Sequence, residues 1–440
     1  MAARFWVGGT GNWSDNTNHW ASSSGGAPGA SKPGVGDTAT LDGSSGGGTV
    51  TADEAVACNS ITMGAFTGTF DANGQTVSLN TFSCTGSGTR TLIMGTGTWT
   101  LAGTGTAWTT ATTTNLTFDS TGSTLVFTGA SQTINSNGLT FATVNFNHAT
   151  PNATITGGNF IASACTITGS GTVTLTSGGT GWNVTTLTAN TSTVIFTGAG
   201  AANLTSNGQS FYNVTFNKNA GVAITLQDAF ICTNNLVLSL GTLACNGQNV
   251  TCGTFNSDFG ANTRVLSNVT GNLTFTGTGN LFDINPTGSL TISTFTANVF
   301  VTNTSSTLKT LSTNGVGGTS LTVSGDNVAF TDNTTYTTLN LNNAGLPNGF
   351  IVTAGRTITV TNFTTNGSAG NLAKMLSSSA GTAFNLSKAS GTVNASYMSL
   401  KDSAAAGGAT WNAINSTNAS GNSGWVFSTL STFLPIIMVC

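Results

Sequence analysis

The strongest constraint on this chain is that it repeats itself. Residues 131–147 align with residues 201–217 at an offset of 70: Asn137-Gly138 meets Asn207-Gly208, and Phe141, Val144 and Phe146 meet Phe211, Val214 and Phe216. Just upstream, Leu125, Val126 and Phe127 meet Val194, Ile195 and Phe196. A second echo has an offset of 173: residues 68–77 match residues 241–250, and Arg90 and Leu92 then match Arg264 and Leu266. The two offsets share a divisor of about 23–25 residues, a length at which repeated supersecondary units stack into solenoids.

Within a unit the texture is short runs alternating with period two, such as 172–176 (Thr-Val-Thr-Leu-Thr) and 357–361 (Thr-Ile-Thr-Val-Thr), separated by Gly, Asn-Gly and Ser-Gly. Alternation predicts strands with one buried face, and the separating residues supply the positive φ of tight corners. Composition agrees. Only 10 Lys and Arg and 13 Asp and Glu are present, against 58 Gly, 25 Phe and 8 Trp. Helix formers are too scarce for a bundle or an ordinary α/β enzyme, and aromatic and β-branched residues too abundant for disorder. The expected fold is all-β: a single-stranded right-handed parallel β-helix, or β-solenoid, of about 14 turns over residues 49–393. Residues 1–48 are expected to form a Trp-rich N-terminal cap and loop, with Trp6, Trp13 and Trp20, and 394–427 a closing segment with Trp411 and Trp425.

Few residues offer chemistry. The acids are dispersed, and only Asp53 and Glu54 adjoin, pointing to opposite faces of an extended chain. Stacked turns could bring distant acids such as Asp258 and Asp283 together, the paired carboxylates that glycoside hydrolysis needs, but each Asp reads first as a turn residue that hydrogen-bonds its own backbone. His19 and His148 stand in no nucleophile motif. Asp37 and Asp42 are the best oxygen donors for Ca²⁺, but no Gly-Gly-x-Gly-x-Asp repeat accompanies them. Recurrent Thr-x-Thr triplets read as strand-forming Thr on a solvated face, since the repeat drifts too much in length for a regular ice-binding ladder. The seven cysteines lie on strand-like segments and read as buried free thiols. No catalytic, cofactor-binding or metal residue is assigned. A net charge of −3 with no basic cluster argues against nucleic acid and anionic membranes as partners. The sequence shows neither a Sec-type leader nor an apolar run of about 20 residues, so no membrane insertion is expected.

The two ends carry a resemblance. Phe5-Trp-Val-Gly-Gly-Thr-Gly-Asn-Trp13 with Trp20 and 33–41 (Pro-Gly-Val-Gly-Asp-Thr-Ala-Thr-Leu) resembles the opening of autotransporter-type β-solenoids and of β-helical proteins of tailed bacteriophages. Residues 390–402, Trp411-Asn-Ala413 and 421–427 resemble the closing segment of phage virion β-helix proteins. The resemblance implies a non-enzymatic virion component (fibre, spike or decoration protein), made in the host cytoplasm. Its implied partners are other virion proteins and a host-surface glycan or receptor. A secreted adhesin or autotransporter passenger, and a glycan-depolymerising tailspike, are the alternatives. The tail after Phe427 is apolar, and Phe433, Leu434, Ile436, Ile437, Met438 and Val439 are its candidate partner contacts, in a homotrimer or against another virion protein.

Overall fold

The computed structural model describes residues 1–149, 151–176, 179–284 and 289–429. Every regular element among them is a strand, and nearly all pair in parallel. The chain forms two compact units, residues 1–231 with 240–243, and residues 232–239 with 244 onward.

In the first unit one ladder runs from Ala3–Trp6 through Thr38–Leu41, Ser60–Met63, Thr81–Cys84 and Gly105–Thr110 to Asn213–Lys218. Because equivalent residues pair, a single inward column threads Ala39, Ile61, Phe82, Trp108, Ile134, Ile155, Leu175, Phe196 and Phe216, all buried. Its neighbours are about 4.8 Å apart, so each apolar side chain is sandwiched between two others. Full burial is worth about 1.5–3 kcal/mol for each large residue, and the column is therefore the main stabilising element. At the start of the unit Trp20–Ala21 runs antiparallel to Ala3–Trp6, and Trp20 packs edge-on against Trp6 and Trp13 at 5.2 and 4.8 Å.

The second unit is built in the same way. Asn272–Phe275, Asn298–Val301, Ser320–Val323, Thr334–Leu341 and Thr357–Thr365 stack in order, with Leu273, Val299, Leu321, Leu339 and Phe363 inward.

The solenoid has about 17 turns, not the 14 expected. The 70-residue echo explains the difference. Leu125 stacks on Val144, Cys165 and Leu187, three turns in one ladder, whereas its sequence equivalent Val194 lies in the adjacent ladder beside Val173. The motif has advanced three turns and one face, so a turn is shorter than the common divisor of the echoes implies. Turn length also varies: Thr172 pairs with Thr193 around a short turn, whereas Phe82 pairs with Trp108 around a longer one.

Long turns have widened corners, and buried cations fill them. The Arg90 guanidinium donates to the carbonyls of Thr112 (2.7 Å), Gly88 (3.0 Å) and Thr114 (3.1 Å). Arg264 donates to Asn262, Gly260 and Ser257. Lys309, in the turn pairing Gly279 with Lys309, donates to Ser305, Thr307 and Asp326 carbonyls. Arg90, Arg264 and Lys309 are at most 1% exposed. The echo of Arg90 at Arg264 is thus a repeated structural device. Replacing Arg90 with Met, which keeps the aliphatic bulk, strands three carbonyls; a buried unsatisfied polar group costs about 1–3 kcal/mol. Denaturant unfolding of Arg90→Met is expected to show a loss of at least about 3 kcal/mol, whereas Arg356→Met, at an exposed corner, should change stability by less than about 0.5 kcal/mol.

Candidate functional site

The feature of the second unit that departs most from regular stacking is a break in its ladder. Thr357–Thr365 pairs along its length with Thr334–Leu341, from Ile358 beside Thr334 to Thr365 beside Leu341. On its other side only residues 357–359 are paired, with Phe384–Ser387. Thr392–Ser396, which follows, instead starts a separate sheet with Thr410–Ile414 and Trp425–Ser428. The cause is local. One residue, Thr337 or Thr361, bridges the two halves in the preceding turns, but 388–391 (Lys-Ala-Ser-Gly) separate Ser387 from Thr392. The next turn copies this insertion: Gly408 N–H donates to Ala389 and Thr410 N–H to Gly391, at 3.1 and 2.8 Å. Gly407 has φ +85°, and a Cβ there would strike the Lys388 backbone, so Gly407-Gly408-Ala409 is a corner shaped to stack on the insertion.

The result is a wedge-shaped groove. At one end the Thr365 hydroxyl latches onto the Ser396 carbonyl at 2.9 Å; at the other the Lys388 ammonium donates to the Thr361 carbonyl. Asn362 and Thr364 stand on one wall, Thr392 and Asn394 on the other, all exposed. Phe363 forms the floor, packed against Trp411 and Trp425 at 6.2 and 6.5 Å, and these two lie 5.1 Å apart. Both indoles are satisfied, Trp411 on the Ala406 carbonyl and Trp425 on the Ser403 hydroxyl. None of the lining residues is acidic. The sequence reading missed this groove, whose one signal, the spacing from Phe384 to Val393, becomes legible only with the strand register known.

The expected site residues are placed elsewhere. Stacking sets Asp283 beside Asn256, not beside Asp258. Asp37 accepts from the N–H groups of Ala2 and Gly34 at 2.6 and 3.1 Å, which lower its pKa, and Asp42 accepts from Ser44 N–H at 2.9 Å. Each carboxylate thus serves the backbone, Asp37 tying the start of the chain to its own turn and Asp42 closing a local turn, and no three His, Cys, Asp or Glu gather among the described residues. His19 stacks on Trp6 (4.6 Å, 3°), with Nδ1 2.9 Å from the Val7 carbonyl and Nε2 3.9 Å from Asp15, while His148 is half-buried in a corner. The Thr-x-Thr triplet 172–174 pairs in register with the strands on both sides, but Asn152 stands beside Thr172 and the column Thr154, Thr174, Ile195, Thr215 is broken by Ile195. The candidate contacts Phe433, Leu434, Ile436, Ile437, Met438 and Val439 lie outside the described residues, as does Cys440.

The six described cysteines are free and buried. Burial pushes the thiols of Cys58 and Cys245 up to about 12 and raises that of Cys252 well above its ordinary value. At pH 8 a thiol reagent is therefore expected to leave all six unlabelled in the native protein and to label all six after denaturation, as mass spectrometry would show.

Asp326 shows how carboxylates are used here. Burial acts to raise its pKa, but hydrogen bonds from the Gly349 and Asn348 amides, each 2.8 Å, outweigh it and the pKa is lowered. A lowered folded-state pKa contributes stability that is complete above the unfolded carboxylate value, about 3.9, and is lost as pH falls through the folded value. Asp326→Asn should cost about 1–3 kcal/mol at pH 7. Denaturant titrations should find that gap constant from pH 5 to 8 and shrinking below about pH 4.

No protein-family model, curated protein or solved structure matches this chain.

Proposed function

We propose that the chain is a non-enzymatic structural component of a bacteriophage virion, a fibre, spike or decoration protein that binds neighbouring virion proteins and a host surface. The observation carrying the reading is the closing segment, where the resemblance to phage virion proteins is densest. Residues 392–396, 410–414 and 425–428 stack as consecutive turns, with Trp411 on Val393 and Trp425 on Trp411, so the motif residues are the packing residues that finish the ladder. The use of Asp15 and Asp119 as acceptors in their own turns, and of Asp37 and Asp326 as acceptors from backbone amides of other turns, favours a structural over a hydrolytic role. The apolar run at 433–439 is the proposed contact with neighbouring subunits.

The test is assembly. Purified phage particles from the source of the gene are expected to contain the full chain, and a chain stopped after Ser428 should be lost from them while keeping its melting temperature. Absence of the full chain from particles, or release of oligosaccharides from host capsule by the purified protein, would overturn the reading.

A further inference from the structure

We propose that the wedge between Thr357–Thr365 and Thr392–Ser396 binds a neutral glycan, one sugar ring deep. The inference deepens the reading above and rests on it for the premise that the protein meets a surface ligand; the chemistry of the groove stands by itself.

The hydrogen-bond columns that end at the groove define the ligand. Below it, Asn340 donates to the Thr322 hydroxyl at 3.1 Å, and the Thr364 hydroxyl donates to Asn340 Oδ1. Thr364 thus offers only oxygen lone pairs to the groove. Above it, Asn412 donates to Asn394 Oδ1 at 2.8 Å, which leaves Asn394 Nδ2 as a donor. One wall of the groove therefore carries an acceptor and the other a donor. A sugar hydroxyl fits this pair, giving its proton to Thr364 and accepting one from Asn394. Asn362 and Thr392 place a second amide and a second hydroxyl on the two walls, two residues along the strands.

Other occupants fit less well. A peptide strand inserted into the ladder needs both edges open along their length, but these two are latched by Thr365 on Ser396 at one end and Lys388 on Thr361 at the other. An anion would find a single cation, Lys388, whose ammonium already donates to the Thr361 carbonyl at one end of the groove, away from the Asn394 amide. The absence of acids from the walls means that the groove would hold a glycan without cleaving it. The cluster of Phe363, Trp411 and Trp425 fixes the floor, so little ordering remains to oppose binding.

Saturation-transfer NMR and calorimetry on the full chain provide the test, with cellohexaose, maltohexaose and chitohexaose as neutral probes. A hyaluronate hexasaccharide and a Thr-Val-Thr-Val-Thr peptide serve as the anionic and strand-like probes. At least one neutral probe should bind with a Kd of about 1 mM or tighter and be recovered uncut. Asn362→Ala and Asn394→Ala should each weaken it about tenfold, as should Thr392→Val, which keeps the side-chain shape if either alanine variant lowers the melting temperature. Asn272→Ala, outside the groove, should leave it unchanged. Saturable binding of no neutral probe, binding confined to hyaluronate or the peptide, or binding indifferent to all three groove variants would overturn the proposal. A particle component that binds no neutral glycan keeps the structural reading and loses this one. A glycan binder missing from particles does the reverse.

Discussion

Each turn of these two units must present its backbone hydrogen-bonding groups in register with the turns on both sides. That requirement fixes which residues face inward, since slipping one residue would turn every side chain to the opposite face. Sequence variation is then confined in two ways. Inward positions accept any apolar side chain that fills the column, so Ile61, Phe82 and Trp108 follow one another without disturbing the backbone. Changes in length are absorbed at corners. The ladder continues across a turn as short as that from Ser320 to Thr338 and one as long as that from Gly279 to Lys309, because only the corners expand.

An expanded corner creates a polar problem, since its carbonyls face inward without ladder partners. Arg90, Arg264 and Lys309 meet it with cations that donate to backbone carbonyls. A guanidinium offers five N–H groups in a fixed plane, enough to hold several carbonyls of one loop at once. Buried charge is costly when unpaired, yet here the partners are several partial charges in place of one carboxylate. The same problem at 388–391 is handled differently. There the insertion is copied by the following turn and the ladder divides, leaving the groove walls in solvent.

The period-two alternation and glycine-rich corners made the fold legible, since both follow from the chemistry of single residues and their nearest neighbours. Turn length was not legible from the strongest echo. Phe146 and Phe216 match in sequence but occupy different ladders, and a repeat that advances by a fraction of a turn resembles one of fewer, longer turns. Arg90 and Arg264 stood out as an echo, but their role depends on which corner carbonyls turn inward, Thr112 and Thr114 for Arg90 and Ser257, Gly260 and Asn262 for Arg264, and was invisible until the path of each corner was known. The groove was hidden for the same reason: Asn362 and Asn394 are distant in the chain, and nothing in either neighbourhood distinguishes them from the other Asn-rich corners.

In-register stacking also accounts for the scarcity of charge with which the sequence confronts the reader. An outward residue has its equivalents about 4.8 Å above and below, so a charged column would repeat a like-charge contact at every turn. Even in water each such contact costs about 1 kcal/mol. Where acids do occur in one column they are spaced, as with Asp71, Ile93 and Asp119. Amides invert the sign of the interaction: Asn80 donates to Asn59 at 2.8 Å, Asn298 to Asn272 at 3.3 Å and Asn412 to Asn394 at 2.8 Å. Each amide can accept from one neighbour and donate to the next, so a polar column becomes attractive along its length. A surface selected for that property is covered with uncharged donors and acceptors, and wherever a column is interrupted its end groups are left with unused hydrogen-bonding capacity.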